Sequence, residues 1–259
     1  MKASLNYQAL KNGTPVSDAL VVEVPVQLFI ENEPLTVSMC TPTHMREWAY
    51  GILYTEGIIR SDEQVLSYTE EEVDHQITIR VSLSNAANAV TNKRSLLSVS
   101  ACGICGKTAF EPATRSVDER SSMTPSDDEQ SSMTLRDTIA KMMIQLREVQ
   151  TLFEETGGCH AAGVFDKNQE LLFASEDIGR HNAVDKVVGS LVIHQQLRDA
   201  KFLMVSGRVS YEIVAKCFAA GIPNLAAVSS PSSLAVDYAK ELGISLFAFC
   251  RENRVTQYA

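Results

Sequence analysis

Hydrophobic positions early in the chain recur with a period of two. Val22, Val24, Val26 and Leu28 alternate with Val21, Glu23, Pro25 and Gln27. Glu31-Asn32-Glu33-Pro34 then supplies turn residues, and Leu35 to Met39 reads as a return strand. Successive side chains of a strand point to opposite faces, so residues 19–40 are expected to form a β-hairpin. The period then lengthens. Met45, Trp48, Ala49, Ile52 and Leu53 share one face of a helix expected over residues 43–56, with Thr43 as N-cap and Gly57 as C-terminal stop. Residues 63–70 and 76–83 revert to strands, with clean alternation at Ile77, Ile79, Val81 and Leu83.

Between Glu111 and Ser132 no period holds. Ser-Ser-Met-Thr occurs at Ser121–Thr124 and again at Ser131–Thr134, around Pro125, Asp127, Asp128 and Glu129. Two copies of four residues are too short for a repeat architecture, and the stretch has little to bury, so it reads as a linker. Beyond it helices and strands alternate. A helix is expected over 134–153 with Ile139, Met142, Met143, Leu146, Val149 and Phe153 facing inward. Two strands follow, Ala161–Phe165 and Glu170–Ala174, and then a helix over 180–197 carrying Val184, Val187, Val188, Leu191 and Val192. Phe202–Val205, Leu225–Val228 and Ile244–Phe249 are continuous apolar strands, separated by helices at 209–220 and 232–242. That pattern predicts a parallel sheet covered on both faces. The expected organisation is an N-terminal α+β region over 1–110, a flexible linker over 111–133 and an α/β domain over 134–259.

Composition adds limits. The 259 residues suffice for one large domain or two smaller ones, and 45% hydrophobic with 21% charged residues is ordinary for a globular protein. There is no apolar run near the length of a membrane span and no apolar signal core at the N-terminus, so a cytoplasmic protein is expected. A net charge of −9 argues against broad binding to nucleic acid or an anionic membrane, while leaving room for a local basic pocket.

Candidate chemistry lies in two kinds of place. The first is Cys102-Gly103-Ile104-Cys105-Gly106-Lys107, the one close pair among six cysteines. Such a pair can form a redox disulfide, supply half of a zinc site, or carry sulfur. The glycines leave the backbone approachable, and Lys107 favours the thiolate. The second kind is the strand ends, since ligands of open α/β sheets bind beyond the carboxyl ends of the strands. Ser206-Gly207-Arg208, Ser229-Ser230-Pro231-Ser232-Ser233 and Cys250-Arg251-Glu252-Asn253-Arg254 each follow a predicted strand. The first two open helices, whose free N–H groups attract anions, and Arg208, Arg251 and Arg254 offer guanidinium forks suited to phosphate. A fourth run, Glu176-Asp177-Ile178-Gly179-Arg180-His181-Asn182-Ala183-Val184-Asp185-Lys186, crowds polar groups at one helix start. Asp177 or Asn182 could cap that helix, with Asp185 and Lys186 solvated. Alternatively, its carboxylates and amides read a base edge while Arg180 and His181 face phosphate. Gly157-Gly158-Cys159-His160 is a further polar turn, with a structural role favoured over a reactive one.

Taken together, the Cys102–Gly106 pair, the Glu176–Lys186 run, Ser206-Gly207-Arg208 and the closing Phe249-Cys250-Arg251-Glu252-Asn253-Arg254 resemble the formate dehydrogenase accessory sulfurtransferase family (FdhD) over nearly the whole chain. The resemblance implies a cytidine-deaminase-like α/β domain beside a smaller N-terminal α+β domain, and a homodimer. It implies a protein that accepts sulfur from a cysteine desulfurase as a cysteine persulfide. The sulfur is then passed to the molybdenum cofactor, bis(molybdopterin guanine dinucleotide), for use by formate dehydrogenase. On that reading Cys102 is the persulfide carrier and Cys105 assists. Phe249, Cys250, Arg251, Glu252, Asn253 and Arg254 match the family's cofactor-binding segment. Ser206, Gly207, Arg208, Ser229, Ser230, Asp177, Gly179, Arg180, His181 and Asn182 complete the expected site. No dedicated metal ion is expected.

Other readings fit less well. A zinc deaminase needs His-x-Glu and a later Pro-Cys-x-x-Cys. None of the five histidines has Glu two residues on, and the Cys-x-x-Cys lacks a preceding Pro. A zinc site needs two further ligands, and a thioredoxin-like pair needs a strand-to-helix junction that Lys107–Pro112 does not continue. The strongest rival is a chaperone that binds the molybdenum cofactor while another protein moves sulfur.

Overall fold

The structure, a computed structural model, describes residues 1–84, 129–251 and 254–259, with backbone alone at 129–134. Two sheets and an outlying hairpin carry the chain. The hairpin comes first, β1 (Ser4–Lys11) paired antiparallel with β2 (Thr14–Val21). Nearly all its residues are exposed, so no face is selected to be apolar and no alternation marks it.

The hydrophobic hairpin expected over 19–40 is β3 (Val24–Ile30) and β4 (Glu33–Cys40), its first residues belonging instead to β2. With β5 (Val65–Val73) and β6 (Gln76–Leu83) it makes a four-stranded sheet in the order β4-β3-β6-β5. Val24, Val26, Leu28, Ile30, Ile77, Ile79, Val81 and Leu83 all point to one buried face. Helix α1 (Met45–Thr55) lays Trp48, Ala49, Ile52 and Leu53 onto that face. The residue preceding α1 is His44, in the left-handed region at φ 52°, and no side chain caps the helix. Thr43 lies one residue before that N-cap position, and its hydroxyl accepts from the Lys186 ammonium at 3.2 Å. Gly57 does end the helix, at φ +72°.

The second sheet has six strands, ordered β12-β11-β10-β9-β7-β8. These are β7 (His160–Phe165), β8 (Leu171–Asp177), β9 (Phe202–Val205), β10 (Asn224–Ala227), β11 (Ser245–Arg251) and β12 (Arg254–Gln257). The expected parallel pairing holds for β9, β10 and β11, whereas β7, β8 and β12 join antiparallel. Short tight connections permit this: β7 turns straight into β8 through 166–170 with no crossover helix. One face packs Leu203, Val205, Leu225, Ala227 and Leu246 against α4 (Arg180–Ile193), α5 (Tyr211–Ala219) and α6 (Ser233–Leu242). The other packs Met204, Ala226 and Phe247 against α2 (Glu129–Glu148).

Helix α2 begins at Glu129, inside the stretch expected to be linker, and ends at Glu148 rather than running to 153. Val149 is exposed, and Phe153 belongs to a separate short helix, α3 (Thr151–Thr156).

Helix α4 joins the two layers. Its valine face meets the six-stranded sheet, and its opposite face meets α1. Gly51 of α1 lies against the Asp185 carbonyl, and Gly189 of α4 lies against the Glu47 carbonyl, each where a Cβ would overlap backbone. Hence residues 182–192 of α4 are buried all round. Among the described residues, no helix is long and apolar enough to cross a membrane.

Candidate functional site

Strand directions decide what gathers at one edge. β8 is antiparallel to β7, and β7 is antiparallel to β9, so β8 runs with β9, β10 and β11. The carboxyl ends of these four strands therefore share an edge with the start of β7. That edge collects Asp177–Arg180, Ser206–Arg208, Ser229–Ser230, Phe249–Arg251 and His160. Backbone bonds knit it together: Val209 N donates to Ser230 O at 3.1 Å, Ser232 N to Val209 O at 3.0 Å, and Phe249 N to Ser229 O at 3.3 Å.

Within the Glu176–Lys186 run the side chains divide into two sets. The first holds the two layers together. Asp177 and Lys186 are wholly buried and form an ion pair at 2.7 Å. The Asp177 carboxylate also accepts from Thr41 N at 3.0 Å, Gly179 N at 2.7 Å and the Asn182 amide at 3.0 Å. Lys186 donates further to Thr41 O at 3.0 Å and Glu176 O at 3.3 Å. Asn182 accepts from Trp48 Nε1 at 3.2 Å and Ser38 Oγ at 3.1 Å, and donates to Met39 O at 2.8 Å. Asp177 and Asn182 thus spend their polar atoms on protein partners and neither caps α4, whose N-cap is Gly179. Asp185, far from solvated, is buried and paired with Lys216 at 2.6 Å. Glu176 accepts from Leu152 N and Phe153 N, both at 2.8 Å, anchoring the start of α3.

The second set is Gly179, Arg180 and His181, at the start of α4 next to the edge. Gly179 has no room for a side chain, since a Cβ there would lie 2.7 Å from the Asn182 amide nitrogen. His181 Nε2 lies 3.1 Å from both Ser210 Oγ and the Glu212 carboxylate. Arg180 packs beside Gly207 and His160: a Cβ on Gly207 would meet Arg180 Cβ and His160 Nδ1, each at 3.3 Å. Arg180 Nε is buried, with no hydrogen-bond partner among the described residues. Ser206 is partly committed, its hydroxyl accepting from Ala161 N at 2.9 Å.

A cleft of about 950 Å³ opens next to this edge, under α2 and α3. Met143, Arg147 and Phe153 line the helical side, and His160, Ser206 and Arg251 line the sheet side. That volume lies within the range of small-molecule sites, roughly 300–1,000 Å³. Arg251 is exposed and donates from Nε to Val228 O at 3.3 Å, and the Arg254 guanidinium lies 5.0 Å over the Phe249 ring. Phe249 adopts φ +53°, where the β11–β12 register shifts. Ser229 and Ser230 sit half-buried on the edge, and Ser232 is occupied as the N-cap of α6, accepting from Ala235 N at 3.2 Å.

Two thiols also line the cleft, and neither is primed. Burial and the Glu176 carboxylate push Cys159 up to about 12, and its Sγ donates to Glu176 at 3.3 Å. Burial pushes Cys250 up to about 11. Both stay protonated thiols at neutral pH and are weak nucleophiles. Cys102, Cys105, Glu252 and Asn253 lie outside the described residues. Among the described residues no cluster of His, Cys, Asp and Glu is placed to hold a metal ion.

Sequence reasoning noted His160 only in a polar turn with a structural role favoured, and passed over the α2 side of the cleft. Arg147 lies one turn beyond Met143 on a helix read only for its apolar face. His160 opens β7, and only the sheet order reveals that it shares an edge with Arg180 and Gly207.

Fold and site together define an α/β protein with a cationic strand-end edge beside a ligand-sized cleft. The chain belongs to the FdhD/NarQ family, whose profile matches residues 21–259. It is 41% identical over 252 residues to a protein of Mycolicibacterium paratuberculosis named sulfur carrier protein FdhD, covering 93% of this chain and 90% of the relative. A protein of the same name from Thermoplasma acidophilum is 38% identical over 251 residues, covering 94% and 86%. The fold is shared with a crystal structure from Desulfotalea psychrophila, described as that of a proposed formate dehydrogenase accessory protein. That match has a TM-score of 0.70 at 22% identity and covers 98% of this chain and 95% of the other.

Proposed function

We propose that this protein is a sulfur carrier whose cargo is bis(molybdopterin guanine dinucleotide), sulfurated before it enters formate dehydrogenase. The observation that carries the reading is the gathering of Arg180, Gly207, Arg208 and Arg251 on one strand-end edge, next to a cleft of ligand size. A dinucleotide is long and carries diphosphate groups, which suits an edge that gathers guanidinium groups beside helix starts. Family membership and the names of the relatives support the sulfur chemistry. Asp177 and Asn182 take a framing role in this reading, and Arg180 and His181 face the cargo.

The chemistry needs two thiols. The Cys102 thiolate attacks the outer sulfur of the persulfide on a cysteine desulfurase. The donor S–S bond breaks, the desulfurase thiolate leaves, and Cys102 becomes a persulfide. Delivery as sulfide requires two electrons. The Cys105 thiolate supplies them by attacking the inner sulfur of Cys102, forming a Cys102–Cys105 disulfide and expelling sulfide to the cargo. A dithiol reductant then restores the pair. A cytoplasmic homodimer is the assembly proposed. The competing reading is a chaperone that binds the same cargo and carries no sulfur.

Peptide mapping by mass spectrometry, after incubation with a cysteine desulfurase and cysteine, tests the proposal. Addition of one sulfur at Cys102, removed by a thiol reductant and absent from Cys102→Ala, is the expected result. No added sulfur on either cysteine, with the desulfurase active on another acceptor, would leave the chaperone reading.

A further inference from the structure

His160 sits on the strand-end edge and also lines the cleft, as Ser206 and Arg251 do. It lines the cleft, and its Nδ1 lies beside the open position at Gly207, across from Arg180. Among the described residues its ring nitrogens have no hydrogen-bond partner. The charges around it are mostly positive: Arg180 and His181 from the start of α4, and Arg208 beyond β9. Asp177, at the end of β8, is the acidic member of the surroundings, and its carboxylate is already paired with Lys186. Across the cleft stand Arg147 and Glu148 of α2 and Glu154 of α3, and Arg251 of β11 lines the same side as His160. An imidazole placed among guanidinium groups is poorly placed to hold a proton until an anion arrives.

We propose that His160 is a proton-coupled positioning residue for the anionic cargo: it is neutral in the empty protein, and takes one proton from solvent when a phosphate group settles between it, Arg180 and Arg208. The inference rests on the cargo reading above. Burial first, and then the charges of Arg180, His181 and Arg208, hold the empty-state imidazole below its usual range. A bound phosphate reverses the sign of the local field and raises the imidazole pKa. Affinity therefore increases as pH falls through the bound-state pKa of His160, and levels off below the empty-state pKa. The proton makes His160 a second charged donor beside Gly207 and the Arg180 stem. No covalent bond changes, and the proton comes from water or buffer.

Isothermal titration of the full chain with a guanosine diphosphate hexose, whose guanine and doubly esterified diphosphate match those of the proposed cargo and carry no phosphate pKa between about pH 6 and 8, tests this. Buffers of different ionisation enthalpy report the protons taken up. We expect uptake approaching one proton per site, and affinity about five- to tenfold tighter near pH 6 than near pH 8. His160→Gln keeps a hydrogen-bonding side chain but cannot titrate. It should bind with little pH dependence and no uptake, and its circular dichroism should match the wild type. Should that variant misfold, proton NMR of the wild-type imidazoles reads the same event, as a ring whose titration moves to higher pH with nucleotide. Binding without proton uptake, or uptake that survives in His160→Gln and disappears in His181→Gln, would overturn the role of His160 while leaving the anion site standing. No binding at either pH would remove the site reading, and this proposal with it.

Discussion

Asp177 and Lys186 show how a run of polar residues can mislead when only its composition is read. Nothing in Glu-Asp-Ile-Gly-Arg-His-Asn separates ligand-facing from frame-building positions. The separation comes from Thr41, Ser38, Met39 and Trp48, which lie more than a hundred residues away in sequence and reach Asp177, Asn182 and Lys186 through hydrogen bonds. Such a network is costly to break by half. Lys186→Met leaves a buried carboxylate without its cation and should cost about 3–5 kcal/mol of unfolding free energy, measured by urea denaturation. The double variant with Asp177→Asn should lose less than the two single variants summed, since the pair is coupled. An Lys186→Met protein as stable as the wild type would mean that the pair does not hold the layers together.

Elements were legible where one face is buried and the other wet. Strand β3 reads buried-intermediate-buried along its length, and the matching alternation in Val24, Val26, Leu28 and Ile30 is plain in the sequence. The β1–β2 hairpin, exposed on nearly every residue, leaves no such trace. The apolar period of α2 starts only near Leu135, so its first turn from Glu129 reads as linker. The helix-to-helix contact is the hardest to see in advance. Val184 to Val192 announce one buried face of α4, whereas the other face is announced only by a missing side chain, Gly189. Adding a methyl there drives it into the Glu47 backbone, which cannot step aside as a flexible side chain would. Gly189→Ala should therefore destabilise the protein by about 3 kcal/mol or more. A shift in denaturation midpoint smaller than that expected for 1 kcal/mol would show that α1 and α4 are not locked at this crossing.

At the scale of the molecule, two layers meet through α1 and α4, and the seam between them ends at Asp177, Gly179 and Arg180, where the strand-end edge begins. The sequence marks the runs that make this edge, because each follows an apolar strand. It does not join His160 or the α2 wall to that edge, because their proximity depends on β7 running against β8 and β9. The function proposed above divides into two separable steps: uptake of sulfur at the cysteines, and its delivery to a cargo held by the edge. Loading with radiolabelled cysteine and a desulfurase, followed by addition of bis(molybdopterin guanine dinucleotide) loaded with molybdenum, measures both. The wild type should load and then transfer its label to the cargo. The double variant Arg180→Ala/Arg208→Ala should load equally and discharge at least about tenfold more slowly, the loss expected for charge-assisted contacts. Equal discharge by the variant, or a wild type that never loads, would contradict a sulfur carrier whose cargo rests on this edge.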